Sequence, residues 1–434
     1  MSTASYPHAI ATTPRVLPES VLGDVACFVF PALVFLRFQV GGWLYATDVC
    51  LLAALPFALF RHWTWLKTKP ITISIALGVA WLAAQVLSDV IRESPVEDYA
   101  RGWSKILFTV THFATVALLI RDSERRFMVY GVGLAFGGIL TFYLAPTEYA
   151  AYYPWKFGVG LPVTICVCLI AALVASRSRI VCVALLAAMG AVNLYLGFRS
   201  LGGVCELSSV CAYFQLWSRP SKRRLRTVHL ATLVPGLVGG LWFVFAIYAH
   251  GAQAGWFGEE ARVKYEIQSS GDAGVLLGGR NEILAAASAI SDSPLIGHGS
   301  WAKDPTYKAI LYDRMAELGY RNLGGEPEAD LIPSHSYLLG AWVEAGIIGA
   351  LFWCWVLWLI GSALLRASGQ EALFPFFLFI LLFLTWNVLF SPYGGTERFT
   401  ATYFIYAMIL FGLYSQARKP TSVYAKSLHC NHFL

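Results

Sequence analysis

Charge is scarce in this chain. Of its 434 residues only 13% are Asp, Glu, Lys or Arg, while 57% are apolar and the mean hydropathy is +0.59. A soluble globular protein carries about a quarter charged residues and no more than about half apolar ones. So little charge excludes a soluble enzyme, a nucleic-acid binder and a disordered protein. Cysteine is missing where it would matter structurally. Cys27, Cys50, Cys166, Cys168, Cys182, Cys205, Cys211 and Cys354 all fall in apolar runs and Cys430 lies in the tail, leaving none for the one long polar loop. A disulfide framework or a Cys-based zinc site is excluded on that ground, and the thiols read as small packing residues. The first twenty residues are polar, with the single Arg15 and no small-residue cleavage site behind a short apolar core, so no cleavable signal peptide is expected.

What the chain has is apolar length, enough for about twelve helices of ~20 residues. Runs occur near Val21–Leu36, Thr47–Phe60, Ile71–Val90, Lys105–Ile120, Phe127–Leu144, Gly158–Ala175, Ile180–Phe198, Gly202–Trp217, Val228–His250, Tyr337–Leu365, Phe374–Phe390 and Thr402–Tyr414. Basic clusters follow the even-numbered runs: Arg61 with Lys67 and Lys69, Arg121 with Arg125 and Arg126, Arg177 with Arg179, the dense Arg219–Arg226 stretch, Arg366, and Arg418 with Lys419. By the positive-inside rule both termini are cytoplasmic. The expected organisation is a cytoplasmic tail (1–20), spans one to nine (21–250), a long outer loop (251–334), spans ten to twelve (335–414) and a second cytoplasmic tail (415–434).

The loop is the exceptional segment. Its 84 residues hold twelve acids and seven bases, a net of −5 in a chain of net +6. It is not low-complexity. From Gly279-Arg280 to Ile290, apolar residues at helical spacing predict an amphipathic helix, closed by Ser293-Pro294 and the Gly297-His298-Gly299 turn. A long structured loop is where function is expected.

The loop ends in Pro333-Ser334-His335-Ser336, which sets an imidazole at a helix start beside Ala341, Ala345 and Gly349, a small-residue face suited to close packing. His335 on such a rigid element suits a catalytic base; the alternative is an interfacial histidine with no task. Arg280 opens the loop helix, and Arg199 lies at the outer end of the seventh span. Glu206 follows Arg199 by two helical turns, within the eighth span. Intramembrane acids line cavities or find partners, so Arg199 and Glu206 point to a polar cavity opening outward. Arginine's planar fork suits a phosphate-bearing ligand, though an arginine at a span end also snorkels. Arg398 in the last outer loop is a further cation for that cavity. His298 between two glycines reads as a turn residue before a ligand, and His112 as a hydrogen bonder in helix packing. The acids Glu326, Glu328 and Asp330 could recruit a cation or simply be solvated. No Asp-x-Asp occurs anywhere, and Glu97-Asp98 lacks that spacing, which disfavours a metal-assisted diphosphate site.

Taken together, Gly279-Arg280-Asn-Glu-Ile, Asp292-Ser-Pro294-Leu-Ile-Gly297-His-Gly299, and His335-Ser-Tyr-Leu-Leu followed by Glu344-Ala-Gly346-Ile-Ile-Gly349 resemble the O-antigen ligase/polymerase family of bacterial envelope proteins. The match covers roughly residues 196–350. Departures are Ala350 for a Thr often seen after the last glycine, Leu284 for a Trp in the loop helix, and Phe198-Arg199-Ser200 for Ser-Arg-Gly. The resemblance implies an all-α polytopic GT-C-like fold of about twelve spans with one long periplasmic loop, in the bacterial inner membrane. It implies an inverting glycosyltransferase that uses no metal or other cofactor and no nucleic acid, with its active site on the periplasmic face. Its donor would be a glycan on undecaprenyl diphosphate. Its acceptor would be another lipid-linked repeat unit (a polymerase) or lipid A–core (a ligase). By position, Arg199 and Arg280 would bind the diphosphate and His335 would be the base, with Glu206, Arg398 and His298 as supporting candidates. The absent Thr favours the polymerase. A transporter or lipid-linked glycan flippase also fits twelve spans, but the two similar halves usual in such folds are not visible. A non-catalytic scaffold would leave the arginines and His335 unexplained.

Overall fold

Proline and small hydroxyl side chains mark where the helices of this chain begin. The computed structural model describes residues 21–217, 239, 242, 245–321, 331–366 and 373–417. The basic stretch 219–226, most of the ninth apolar run, the acids at 326, 328 and 330, and both tails lie outside the described residues. The chain opens with α1 (Val21–Ala32) and a two-stranded antiparallel hairpin, β1 (Arg37–Gln39) and β2 (Trp43–Tyr45), in which Phe38 faces Leu44. Then come α2 (Ala46–Leu66), α3 (Lys69–Ile91), α4 (Val96–Ile120) and α5 (Glu124–Leu144). Short α6 (Glu148–Tyr152) and a π-helical turn at Pro154–Val159 lead into α7 (Gly160–Ala175), α8 (Arg179–Tyr195) and α9 (Arg199–Trp217). The expected loop folds as α10 (Glu259–Ser269), α11 (Gly274–Gly278), α12 (Glu282–Asp292) and α13 (Pro305–Glu317). The chain closes with α14 (Tyr337–Arg366), α15 (Phe374–Phe390) and α16 (Glu397–Ala417). Pro70 sits in the first turn of α3, Ser123 caps α5 through the Arg126 amide, and Asp304 caps α13 ahead of Pro305.

The chain is all-α apart from the hairpin. Among the described residues six helical stretches are long and apolar enough to cross a membrane: α2, α3, α4, α5, Pro154–Ala175 and Tyr337–Leu365. Val21–Phe35, α8 and α15 are shorter apolar helices. This is the helix composition of a multi-pass membrane protein. Aromatic side chains fill the centre of the bundle, where Phe376, Phe379, Tyr403 and Tyr406 are fully buried.

Two helices differ from the expectation. Helix α12 starts at Glu282, and the face it buries is Ala285, Ala286 and Ala289, whereas Ile283 is exposed. The helix packs against α13 and α14 through these alanines, with Leu284 and Ile290 partly buried at the edge of the same cluster. Helix α4 begins nine residues before the apolar run does, at Val96, so its polar first turns stand at the loop end of the bundle.

The glycine motif of α14 has a mechanical purpose. Gly346 interrupts that helix with φ +67°. The break frees the Val343 and Glu344 carbonyls to accept the His298 and Gly299 amides at 2.7 and 3.0 Å, while the Ile347 amide donates to Pro294 at 3.0 Å. The Ser88 hydroxyl adds a bond to the Glu344 carbonyl. A Cβ at Gly346 would lie 2.0 Å from the Leu295 carbonyl oxygen. Residues 292–299 and 344–349, which read as separate motifs in sequence, are thus one interlocked joint. It fixes the loop helix α12 against the start of α14. Gly346→Ala combines left-handed strain with a backbone clash, so it is expected to destabilise by about 2 kcal/mol or more. A thermal-unfolding midpoint equal to wild type would refute the joint.

A second clamp ties the loop to α3. Asp89 accepts the Ser300 amide (2.6 Å), the Ser300 hydroxyl (2.7 Å) and the Trp103 indole N–H (2.7 Å), and Gln85 donates to the Ser300 hydroxyl at 2.9 Å. Arg92 donates to the Gly297 carbonyl and the Ser293 hydroxyl.

Candidate functional site

Ser336 and His335 divide one short motif between structure and chemistry. The buried Ser336 hydroxyl accepts the Leu339 amide, capping α14, and donates to the Val388 carbonyl of α15 at 2.8 Å. With its neighbour pinned to two helices, His335 is held in a defined place. Its side chain is 50% exposed, and its Nδ1 lies 3.4 Å from Oε1 of Glu282, the first residue of α12. Glu282 is 24% exposed, and its other oxygen is buried with no hydrogen-bond partner. Both residues line one cavity of about 910 Å³ between the loop helices and the bundle.

Cations gather beside this cavity, and one of them, Lys264, lines it. At the start of α9, Arg199 donates from Nη1 to the Tyr248 hydroxyl and to Gln268 Oε1, both at 3.1 Å, and its guanidinium stands 5.3 Å from the Tyr248 ring. These partners are neutral, so they orient the fork and leave its charge uncompensated. Arg280 donates to the Gly279 carbonyl and stands 5.4 Å from the Trp386 ring, and its Nε is buried without a partner. Among the described residues neither arginine pairs with a carboxylate within 4 Å. Gln268 and Lys264 of α10 line the cavity. Burial, reinforced by Arg199 and Arg280, pushes the Lys264 ammonium below its ordinary pKa. Burial likewise lowers Arg280, opposed by Glu282 and helped by Arg199. Lys156, in the π-helical turn, lies within electrostatic reach of Lys264, Arg199 and Arg280. Two acids of α10 also line the cavity: Glu260 accepts from the Tyr153 hydroxyl at 2.9 Å, and Glu259 pairs with Arg262. Four cations thus stand within electrostatic reach of one another, with Glu260 and Glu282 as the acids acting on them.

Of the three principal candidates His335 lines the cavity, whereas Arg199 reaches it only through the lining Gln268 and Arg280 stands in the chain between the lining Gly278 and Asn281; the three supporting candidates are engaged elsewhere. Glu206 rests against Gly190 of α8, where an added Cβ would lie 2.5 Å from its carboxylate, and among the described residues it has no ion pair with either arginine. It points into the α8–α9 packing because Gly190 leaves room for it there. Arg398 is taken up within the bundle. Its Nε and Nη2 reach Asp48 at 3.1 and 2.5 Å, and Asp48 also faces His112 Nε2 at 3.0 Å. The three side chains are almost wholly buried and join α2, α4 and α16. His112 therefore does serve in helix packing. Removing one member of a buried ion pair strands the other charge, so Arg398→Ala is expected to destabilise by about 3–5 kcal/mol. A melting temperature within a degree of wild type would contradict this. His298 is a turn residue: its Nε2 donates to the Ala289 carbonyl at 2.8 Å, between Gly297 and Gly299, both at positive φ.

Glu282, Lys264, Lys156 and Gln268 were not singled out by sequence. Glu282 stands two residues after Arg280, a spacing that carries no signal by itself. Lys264 and Lys156 look like ordinary solvated lysines until the fold closes α10 and the π turn over Arg199. Among the described residues no group of three or more His, Cys, Asp or Glu side chains is arranged to hold a metal ion.

No model of a known protein family matches the chain, and no curated protein is similar to it. Its chemistry is therefore read from the cavity.

Proposed function

We propose that this protein is an inverting, metal-independent glycosyltransferase of the bacterial inner membrane. It would move a glycan from undecaprenyl diphosphate to an acceptor sugar hydroxyl at the periplasmic face, as a polysaccharide polymerase. One observation carries the reading: His335, backed by Glu282, lines a cavity that Lys264 also lines, and beside it stand Arg199, bonded to the lining Gln268, and Arg280, next to the lining Asn281, neither with a carboxylate within 4 Å among the described residues. The twelve-span arrangement is part of the proposal. The six long apolar helices are joined by Val21–Phe35, α8, α9, α15 and α16, with a ninth span in the run that ends near residue 250.

The steps follow from charge and geometry. Arg199, Arg280 and Lys264 hold the diphosphate and neutralise the charge that grows on it as the anomeric C–O bond breaks. His335 accepts the proton of the acceptor hydroxyl while that oxygen forms the new bond to the anomeric carbon. Undecaprenyl diphosphate leaves with the bonding electron pair. A single displacement inverts the anomeric configuration. Glu282 beside Nδ1 favours the tautomer that keeps the proton there, which leaves the Nε2 lone pair free as the base. Glu282→Gln is accordingly expected to lower kcat at least about tenfold with little change in donor KM. Adding it to His335→Ala should cost nothing further, because the two act as a unit. Additive losses in the double variant would refute the dyad.

Purified protein given a fluorescent undecaprenyl-diphosphate repeat unit tests the reading. A ladder of longer glycans without added lipid A–core supports the polymerase. Product only when lipid A–core is supplied assigns a ligase instead.

A further inference from the structure

The cavity that holds His335 has a second wall of different chemistry. Trp81, Trp301, Tyr337 and Tyr393 border it together with Lys105 and Glu344. Lys105 Nζ donates to Glu344 Oε2 at 2.7 Å, and with side chains only 11% and 17% exposed the two act as a desolvated unit of no net charge. Lys105 keeps further N–H groups, and the second carboxylate oxygen of Glu344 takes no other hydrogen bond among the described residues. The indole N–H groups of Trp81 and Trp301 are both buried without a partner. Unpaired buried donors are rare in native structures and call for an explanation.

Trp301 also has a strained backbone, at φ +53°. Strain of this kind persists only where the surroundings enforce it, and it gathers at functional sites. Here the enforcement is visible: Asp89 and Gln85 grip the preceding residue, Ser300, through its amide and hydroxyl. The other aromatic rings bordering the cavity pack on one another, with Tyr337 and Tyr393 at 4.8 Å and Trp81 and Tyr393 at 6.0 Å between centroids, and the Lys105 ammonium stands 5.6 Å from the Trp301 ring.

We infer that this wall is the acceptor-sugar subsite, taking a neutral, hydroxyl-rich sugar ring on Trp301 and its neighbours with the hydroxyls bonded to the Lys105–Glu344 pair. A sugar ring presents an apolar C–H face and an edge of groups that both donate and accept. Aromatic faces beside a joined ammonium and carboxylate match both. The same pair, having no net charge, gives a diphosphate no reason to bind there, so the cationic wall and the neutral wall separate donor from acceptor. The assignment of the sugar as an acceptor rests on the transferase reading above.

The test uses the full-length protein in nanodiscs and the repeat-unit oligosaccharide released by mild acid from the host's own lipid-linked glycan, free of lipid and diphosphate. Calorimetry should show binding that saturating inorganic diphosphate leaves unchanged. Trp301→Ala should weaken it by about tenfold. Glu344→Gln, nearly isosteric and gentler on the fold, should weaken it by a similar factor while eluting as wild type on gel filtration. In the transfer assay Trp301→Ala should raise the acceptor KM and leave the donor KM alone. Absence of binding, displacement by diphosphate, or wild-type affinity in Glu344→Gln would overturn the subsite. Transfer with an unchanged acceptor KM in Trp301→Ala would overturn it while leaving the transferase standing. Trp301-dependent sugar binding in a protein that transfers nothing would support the subsite and end the transferase reading.

Discussion

Replacing His335 with alanine is expected to reduce glycan transfer by about 10²–10⁴-fold, the usual worth of a positioned general base. The side chain is half exposed and, among the described residues, its charged contact is Glu282 at 3.4 Å. Folding should therefore change little, within about 0.5 kcal/mol as for a surface substitution. Donor affinity should also survive, because the cations proposed to hold the diphosphate stand on α9, α10 and the loop before α12, and not on His335. The diagnostic pattern is loss of kcat with an intact thermal transition and intact donor binding. If His335→Ala transfers at the wild-type rate, the base lies elsewhere. If it loses donor binding equally, His335 is a ligand and not a base.

Arg280→Ala is expected to weaken donor binding by about 10–100-fold, the equivalent of one charged hydrogen bond. Turnover should fall as well, since the developing charge on the leaving diphosphate loses a partner. The Arg280 Nε is buried without an acceptor and its charge has no carboxylate within ion-pair distance among the described residues. It is therefore free for an incoming anion. Arg280→Lys should recover little, because an ammonium lacks the planar fork that meets two phosphate oxygens at once. Binding titrations across a salt series would check this. Full recovery by lysine would reduce Arg280 to a point charge, and no loss in Arg280→Ala would remove it from the site.

The parts of the fold that follow from local rules were legible in the sequence. Apolar run length located α2, α3, α5 and α14 to within a few residues, because a helix that must bury or lipidate every face leaves no ambiguity of period. His335, Arg199 and Arg280 stood out because each is a polar exception at the edge of an apolar stretch. Glu206 and Arg398 stood out for the same reason, yet their partners are Gly190 and Asp48. A single sequence does not tell which neighbour a charge will meet across 350 residues. The loop helix face escaped for a related reason, since α12 buries its alanines and turns Ile283 outward. Lys264, Glu282 and the Lys105–Glu344 pair are ordinary charged residues until the Gly346 joint and the Asp89 clamp bring the loop down onto the bundle.

The most direct measurement is the fate of the donor's anomeric bond. Purified protein, in EDTA, would be given an undecaprenyl-diphosphate glycan labelled at the anomeric carbon, with the unlabelled repeat unit as acceptor. Free undecaprenyl diphosphate should appear in equal amount to a new glycosidic bond of inverted configuration by NMR, and neither should form with His335→Ala. Intact donor crossing the bilayer with no bond broken, or a product of retained configuration, would contradict the account.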